Sequence, residues 1–228
     1  MTVLSFVELE SFFSAQRLQR YLIACGGNNA RAIELYKANI RISQSFHPLL
    51  CLVETVLRNR INLKLSVHFN DPDWILNQRN GFMNHNTLGR RFYLKSEVDK
   101  TINRLQSAGY VVNSGKVIAD LNFGFWSAIF ERRAYQLLQG KPIQIFTQLP
   151  ATKRRIDIYN NLSQIRDFRN RISHNEPICF NGNIISFNHT VQTYKIIYRT
   201  IRWIDSKLLA FFNEFNSTIR EIKIGNNV

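Results

Sequence analysis

The stretch "RNRISHNEP", residues 169–177, gathers Arg169, Asn170, Arg171 and His174 just ahead of Pro177. An unperturbed imidazole gives and takes protons near neutral pH. A guanidinium is always charged, and its fork of N–H groups matches phosphate geometry. Such a set could serve an RNA-cleaving site as proton-transfer group and phosphate clamp. It could equally be a set of solvated cations near the carbonyl end of a helix, where positive charge is favourable. The elements that hold these residues have to decide between the two.

Upstream, "ATKRRIDIYNNLSQIRDFRNRIS" places Ile156, Ile158, Tyr159, Leu162, Ile165, Phe168 and Ile172 at three- and four-residue spacing. That is one face of a helix of about six turns. Residues five apart on a helix are rotated by roughly 140°, so Arg169 and His174 converge only if the helix stops between them and the chain turns. Pro177 disfavours helical geometry at Glu176, and Asn175 tolerates the left-handed conformation of a helix end. The spacing therefore predicts an arginine on the last turn and a histidine just beyond it.

The other segments also read as amphipathic helices. "SAQRLQRYLIACG" closes at Gly26 and Gly27, and Asn29 is placed to cap "ARAIELYKANIRISQSF". Pro48 suits the first turn of a separate helix, "PLLCLVETVLRNRINLKLSVHF". Residues 70–95 are dense in Asn, Asp, Gly and Pro and read as an irregular connection with at most a helical turn. Ser96 with Asp99 resembles a capping box for the next helix. "SGKVIADLNFGFWSAIFERRAYQLLQG" reads as two helices interrupted at Gly124. "ICFNGNIISF" could close a small hairpin at 178–187 with Asn181-Gly182-Asn183 at its turn. Asn188 could cap a final long helix through "TVQTYKIIYRTIRWIDSKLLAFFNEF". The expectation is one all-α domain over residues 1–228, a helical bundle with that minor hairpin and a disordered tail at 224–228.

With 228 residues and 45% hydrophobic content the chain can bury a full core; its net charge of +14 attracts polyanions, nucleic acid or an acidic membrane. Three widely spaced cysteines exclude a disulfide framework and fit a reducing cytosol. The five histidines lack metal-ligand spacing, so no metal and no cofactor is expected. His47, His68, His85 and His189 stand in no motif and read as structural. The N-terminus has no basic leader, and no apolar run reaches a membrane span. A cytoplasmic protein without membrane attachment is expected.

Arg169-Asn170-Arg171-Ile172-Ser173-His174 has the form R-N-x-x-x-H. In order before it stand "FSAQRLQRYL", "AIELYKANIRIS", "VETVLRNRI" and "IADLNFGFW". Together with "RNRISHNEPI" they make the chain, from about residue 5 to 180, resemble the Abi-like abortive-infection branch of the HEPN superfamily of metal-independent ribonucleases. The resemblance implies a HEPN-like bundle with additional N-terminal helices. It also implies a toxin-type defence nuclease, an RNA substrate, a homodimer with a composite site, and an antitoxin of noncoding RNA or protein. The branch often has two adjacent histidines where this chain has His174-Asn175, so a second proton-carrying residue is missing.

In such a nuclease the RNA's own 2′-OH attacks the neighbouring phosphate. His174 would be the general base, Arg169 would hold phosphate oxygens, and Asn170 would orient the imidazole or the phosphate. Nearby arginines such as Arg171 would favour neutral imidazole. Because one motif supplies one histidine, a two-fold dimer would provide the general acid. The alternative is a non-catalytic RNA-binding module in which Arg169 and His174 only grip phosphate. A weaker third is a helical protein-interaction or membrane-surface module.

Elsewhere, Glu54 and Arg58 stand at i, i+4, either as a structural ion pair or supporting the site. "RNRI" recurs at 58–61, but Leu63 stands where the histidine would be. "NHNTLGRRFYLK" interleaves Arg90, Arg91 and Lys95 with Phe92 and Tyr93, suited either to single-stranded RNA or to a solvated loop. "KRR" at 153–155 puts cations at a helix start, against the dipole. "NFGFW" reads as core.

Overall fold

The computed structural model describes residues 4–89 and 92–228. Among them run, in order, α1 (Phe6–Phe13), α2 (Ala15–Ala24), α3 (Asn29–Phe69), α4 (Trp74–Asn77), α5 (Tyr93–Ser107), α6 (Ser114–Asp120), α7 (Phe123–Ala128), α8 (Arg132–Leu137) and α9 (Arg155–Ser173). There follow a hairpin of β1 (Phe180–Asn181) and β2 (Ile184–Ile185), then α10 (Asn188–Ile204), α11 (Leu208–Glu214) and α12 (Thr218–Gly225). The hairpin is antiparallel, with Phe180 opposite Ile185, and is the one sheet among the described residues. The class is all-α. None of the described helices is long and apolar enough to cross a membrane.

Left-handed residues decide where three of the helices stop. The α2 helix closes on Gly26 at φ 64°, with the Gly27 N–H donating to the Leu22 carbonyl at 2.9 Å. The α3 helix closes on Asn70 at φ 49°, with the Asp71 N–H donating to the Ser66 carbonyl at 2.9 Å. Asn175 does the same for α9 at φ 52°. In each, the bond five residues back satisfies a carbonyl that the helix itself cannot.

The chain divides into two compact units, residues 1–50, 167–198 and 210–228 forming one and 51–166 with 199–209 the other. In the first unit Phe46 packs on Phe168 with ring centroids 4.8 Å apart. Tyr21 meets the edge of Tyr36 at 5.2 Å and Phe180 at 5.2 Å. Asn39 is buried and accepts the Ile178 N–H at 2.8 Å, while the Thr190 hydroxyl donates to the Ile178 carbonyl at 2.6 Å. The strand that follows α9 is thereby tied down at both backbone groups of one residue. A Cβ on Gly225 would stand 3.0 Å from Ile42 and 3.2 Å from Phe187, so those side chains would have to give by a few tenths of an ångström to admit one.

In the second unit the core holds Trp74, Phe125, Trp126, Phe130, Ile158, Leu162 and Ile165. The Trp74 indole N–H donates to the Asn62 side chain at 2.8 Å, meeting the rule that a buried donor finds a partner. Phe123, Phe125 and Trp126 are all buried, as core residues.

Several boundaries differ from those the sequence suggests. The α3 helix continues through Pro48, although proline there removes one ladder bond. The carbonyl left without its helical partner is that of Gln44, an exposed residue; its neighbour, the Ser45 carbonyl, accepts the Thr218 hydroxyl at 3.1 Å. The cap of α3 is Asn28, whose side chain accepts the Arg31 N–H at 3.0 Å, one residue before Asn29. Ser96 lies inside α5, which starts three residues earlier at Tyr93, and its N–H donates to the Phe92 carbonyl at 2.8 Å; Asp99 is engaged by Lys95 at 2.6 Å and Arg79 at 3.3 Å. The interruption before α7 falls at Leu121–Asn122, where the Asn122 side chain accepts the Phe125 N–H at 3.0 Å. The last long helix is broken between Ile204 and Leu208. The terminal segment is not a loose tail: α12 extends to Gly225, and the Val228 carbonyl accepts from Arg31 at 2.8 Å.

The cysteines report on this packing. Cys25 and Cys179 are buried and Cys51 is exposed. Burial pushes the Cys179 thiol up to about 12 and raises that of Cys25 as well. Since the thiolate is the nucleophile, iodoacetamide at pH 8 should modify Cys51 first. Peptide mass spectrometry should find Cys25 and Cys179 alkylated only once denaturant opens the first unit.

Candidate active site

The α9 helix begins where its own side chains close the first turn. The Asp157 carboxylate accepts the Arg154 N–H at 2.9 Å and pairs with Lys153 at 3.0 Å, and those bonds hold it below the usual carboxylate range. Arg155 donates to the Phe130 carbonyl at 2.7 Å. Lys153 and Arg155 of the basic triplet are thus engaged locally. Ile158, Leu162, Ile165 and Phe168 are buried, with Tyr159 and Ile172 half-buried; Ile156, at 47% exposure, falls off that face.

At the other end the His174 N–H donates to the Asn170 carbonyl at 3.0 Å. The Asn175 N–H then reaches back to Ile172 at 3.0 Å and the Glu176 N–H to Arg171 at 2.8 Å. This pair of bonds around a left-handed residue is a Schellman end. It explains asparagine at position 175, since most other L residues are strained at that φ. Arg171 clips the turn shut. Its guanidinium donates to the Pro177 carbonyl and its Nε lies 3.6 Å from the Glu176 carboxylate. Arg171 therefore supports the turn.

His174 is exposed and lines a cleft of about 330 Å³ together with Arg17, Arg20, Asn175 and Glu176. Arg17 donates to the Asn175 carbonyl at 3.0 Å. Arg20 donates to the Gly182 carbonyl at 2.6 Å and lies over the Phe180 ring, 4.6 Å from its centroid. A guanidinium carries five N–H donors, so each arginine is anchored by one bond and retains others. Two fixed cations and one imidazole thus share a cleft at the negative end of the α9 dipole.

The sequence motif is only partly brought together. Arg169 is half-buried and Asn170 exposed, and neither is among the cleft's walls. Arg17 and Arg20 take the places beside His174, from a helix more than 150 residues earlier in the chain. Neither spacing nor motif pointed to them. The available signal was weak: two arginines three apart on α2 lie on one helical face. His189 sits against the Phe168 ring with centroids 5.9 Å apart, and burial, then the Arg171 charge, lowers its pKa.

Of the supporting residues, Glu54 and Arg58 belong to the second unit, where Arg58 donates to the Ala119 carbonyl at 3.1 Å. Arg90 and Arg91 lie outside the described residues. Lys95, from the same basic segment, is paired with Asp99 at 2.6 Å.

Comparison of the chain with protein-family models, with curated proteins and with solved structures finds no match. The chemical reading therefore stands on the cleft itself.

The helix end can be tested apart from any activity. Asn175→Ala should cost about 1 kcal/mol, the left-handed penalty of an ordinary residue, whereas Asn175→Gly should be neutral or slightly stabilising. Urea unfolding of the three proteins measures this. Equal stability of the alanine and glycine variants would contradict the geometry at this residue.

Proposed function

We propose that the chain is a metal-independent endoribonuclease of the Abi-like HEPN type, with His174 as its proton-transfer residue. The observation that carries the reading is the exposed imidazole of His174 in one cleft with the anchored guanidinium groups of Arg17 and Arg20. A cationic helix end alone would need no cleft. RNA cleavage needs a proton acceptor, fixed positive charge for the phosphorane, and room for a phosphodiester, and these support it together.

In this mechanism His174 takes the proton of the 2′-OH, and the 2′ oxygen attacks the adjacent phosphorus. The bond from phosphorus to the 5′ oxygen breaks, and that oxygen takes a proton as it leaves. Arg17 and Arg20 hold the non-bridging oxygens as charge builds there. Arg169 and Asn170 act from outside this cleft, on the flanking strand or on a second copy's site. The second proton carrier is His174 of a second copy, since Asn175 cannot exchange protons and a two-fold pair brings two such motifs together. The surface charge of the chain raises local RNA concentration. Such an activity acts in the cytoplasm as an abortive-infection or toxin function, held in check by an antitoxin of RNA or protein.

His174→Ala should lower single-turnover cleavage by about 10²–10⁴-fold, the usual worth of a positioned acid–base group, while RNA binding persists. Cleavage should survive a chelator and leave 2′,3′-cyclic phosphate and 5′-hydroxyl ends. Sedimentation should show a dimer at working concentration. Wild-type protein that binds RNA without cutting it would make the chain an RNA-binding module; an unaltered rate in His174→Ala would remove the histidine from the chemistry.

A further inference from the structure

The first unit contains a second and larger cavity, of about 620 Å³, that the cleavage chemistry does not use. Its size falls in the range of small-molecule sites, about 300–1,000 Å³. Phe12, Phe13, Tyr36 and Ile40 supply apolar wall, and Gln44 and His47 supply polar groups. Arg17 and Asn175 belong both to this cavity and to the His174 cleft. The two spaces therefore adjoin across the hydrogen bond from Arg17 to the Asn175 carbonyl, 3.0 Å long.

We propose that this cavity seats a nucleobase of single-stranded RNA, next to the phosphate held in the His174 cleft; the proposal rests on the ribonuclease reading above and names how that site selects its substrate. Three observations carry it. The first is continuity: a strand whose phosphate reaches Arg17 has its neighbouring base at the cavity's edge, because the same side chain walls both. The second is the aromatic surface. Phe12 is 71% exposed and Phe13 44% exposed, and Phe13 lies 5.7 Å from Tyr36 at a tilt of 52°. Tyr36 is braced from behind by the edge of Tyr21, so its ring is held in place before any ligand arrives. Unstacked bases bind rings of this kind whatever their identity.

The third is the polar complement. Asn39 spends its carbonyl oxygen on the Ile178 N–H, and the Ser43 hydroxyl donates to the Asn39 backbone carbonyl at 2.8 Å, which fixes that wall. Gln44 and His47 are exposed on the cavity's rim. The Gln44 amide can read the donor and acceptor edge of a base, so stacking supplies the affinity and the rim supplies the preference. A duplex cannot deliver an unstacked base here. The substrate class is accordingly a single-stranded or looped RNA.

The test uses a 2′-fluoro single-stranded oligonucleotide, which lacks the attacking hydroxyl, so binding is read independently of cleavage. Ile40→Trp adds bulk at a position 39% exposed and fills the cavity without entering the core. Dissociation constants across a salt series should show about tenfold weaker binding for this variant, with the salt slope unchanged because the phosphate contacts remain. In parallel, irradiation of the wild-type protein with the same oligonucleotide carrying 5-iodouridine should attach it to Phe12, Phe13 or Tyr36. Equal affinity of wild type and variant, or crosslinks confined to other surfaces, would overturn the base pocket. The crosslinking arm decides the matter even if the tryptophan variant does not fold. A protein that shows the base effect but never cuts ribo-oligonucleotides would sink only the nuclease reading; one that cuts them without any base effect would sink only the pocket.

Discussion

The left-handed turn at Asn175 is the constraint on which the candidate site depends. An α-helix leaves its last four carbonyls without partners. At this end the Glu176 N–H takes the Arg171 carbonyl and the Asn175 N–H takes that of Ile172. The turn sends the chain back toward Ile178, whose N–H and carbonyl are both claimed by buried side chains, Asn39 and Thr190. Between those two fixed points only a few residues remain, and His174 is among them. Its exposure follows from the geometry of the turn, since a residue at the helix end before a left-handed asparagine has no neighbouring turn to pack against. The Asn175 carbonyl, pointed outward by the same turn, is what Arg17 binds.

Electrostatics and hydrogen bonding cooperate at this end. The α9 dipole presents partial negative charge here, so Arg171 and Arg17 are placed where cations are favoured even without a ligand. That effect is worth only about 0.3–1 kcal/mol per exposed charge, too little to explain two arginines each held by a long-range backbone hydrogen bond. Arg20 adds a ring contact with Phe180 and a bond to the hairpin turn at Gly182. Anchoring of this kind removes rotamer freedom in advance, which is what a phosphate site gains from preorganisation. Glu176 works the other way, putting a carboxylate in the same cleft, but Arg171 lies close enough to offset part of its charge.

Much of this was legible in the chain because it is local. The buried stripe of α9, the stop before Pro177 and the left-handed role of Asn175 all follow from residues within one or two turns. The hairpin at 180–185 likewise follows from the Asn181-Gly182-Asn183 turn. What could not be read depends on distant partners. Pro48 passes through α3 in a turn whose Ser45 carbonyl takes a hydroxyl from Thr218, 173 residues away. Ser96 looked like a cap, yet α5 starts three residues earlier, and Asp99 is drawn to Lys95 and Arg79. Arg17 and Arg20 carried no motif at all; only the fold of the first unit brings them to His174.

The motif itself shows why spacing alone is a weak guide to a site. Arg169 and His174 are five residues apart, and a continuous helix would set them roughly 140° apart around its axis. Ending the helix at Ser173 frees the histidine but leaves Arg169 on the last full turn, half-buried. Charge beside the imidazole therefore has to come from elsewhere, and α2 supplies it. The consequence is that R-N-x-x-x-H is split: His174 lines the cleft, and Arg169 and Asn170 stand outside its walls. On the proposed nuclease reading a composite site built from two copies would use that split, because a strand leaving one cleft needs cations outside it.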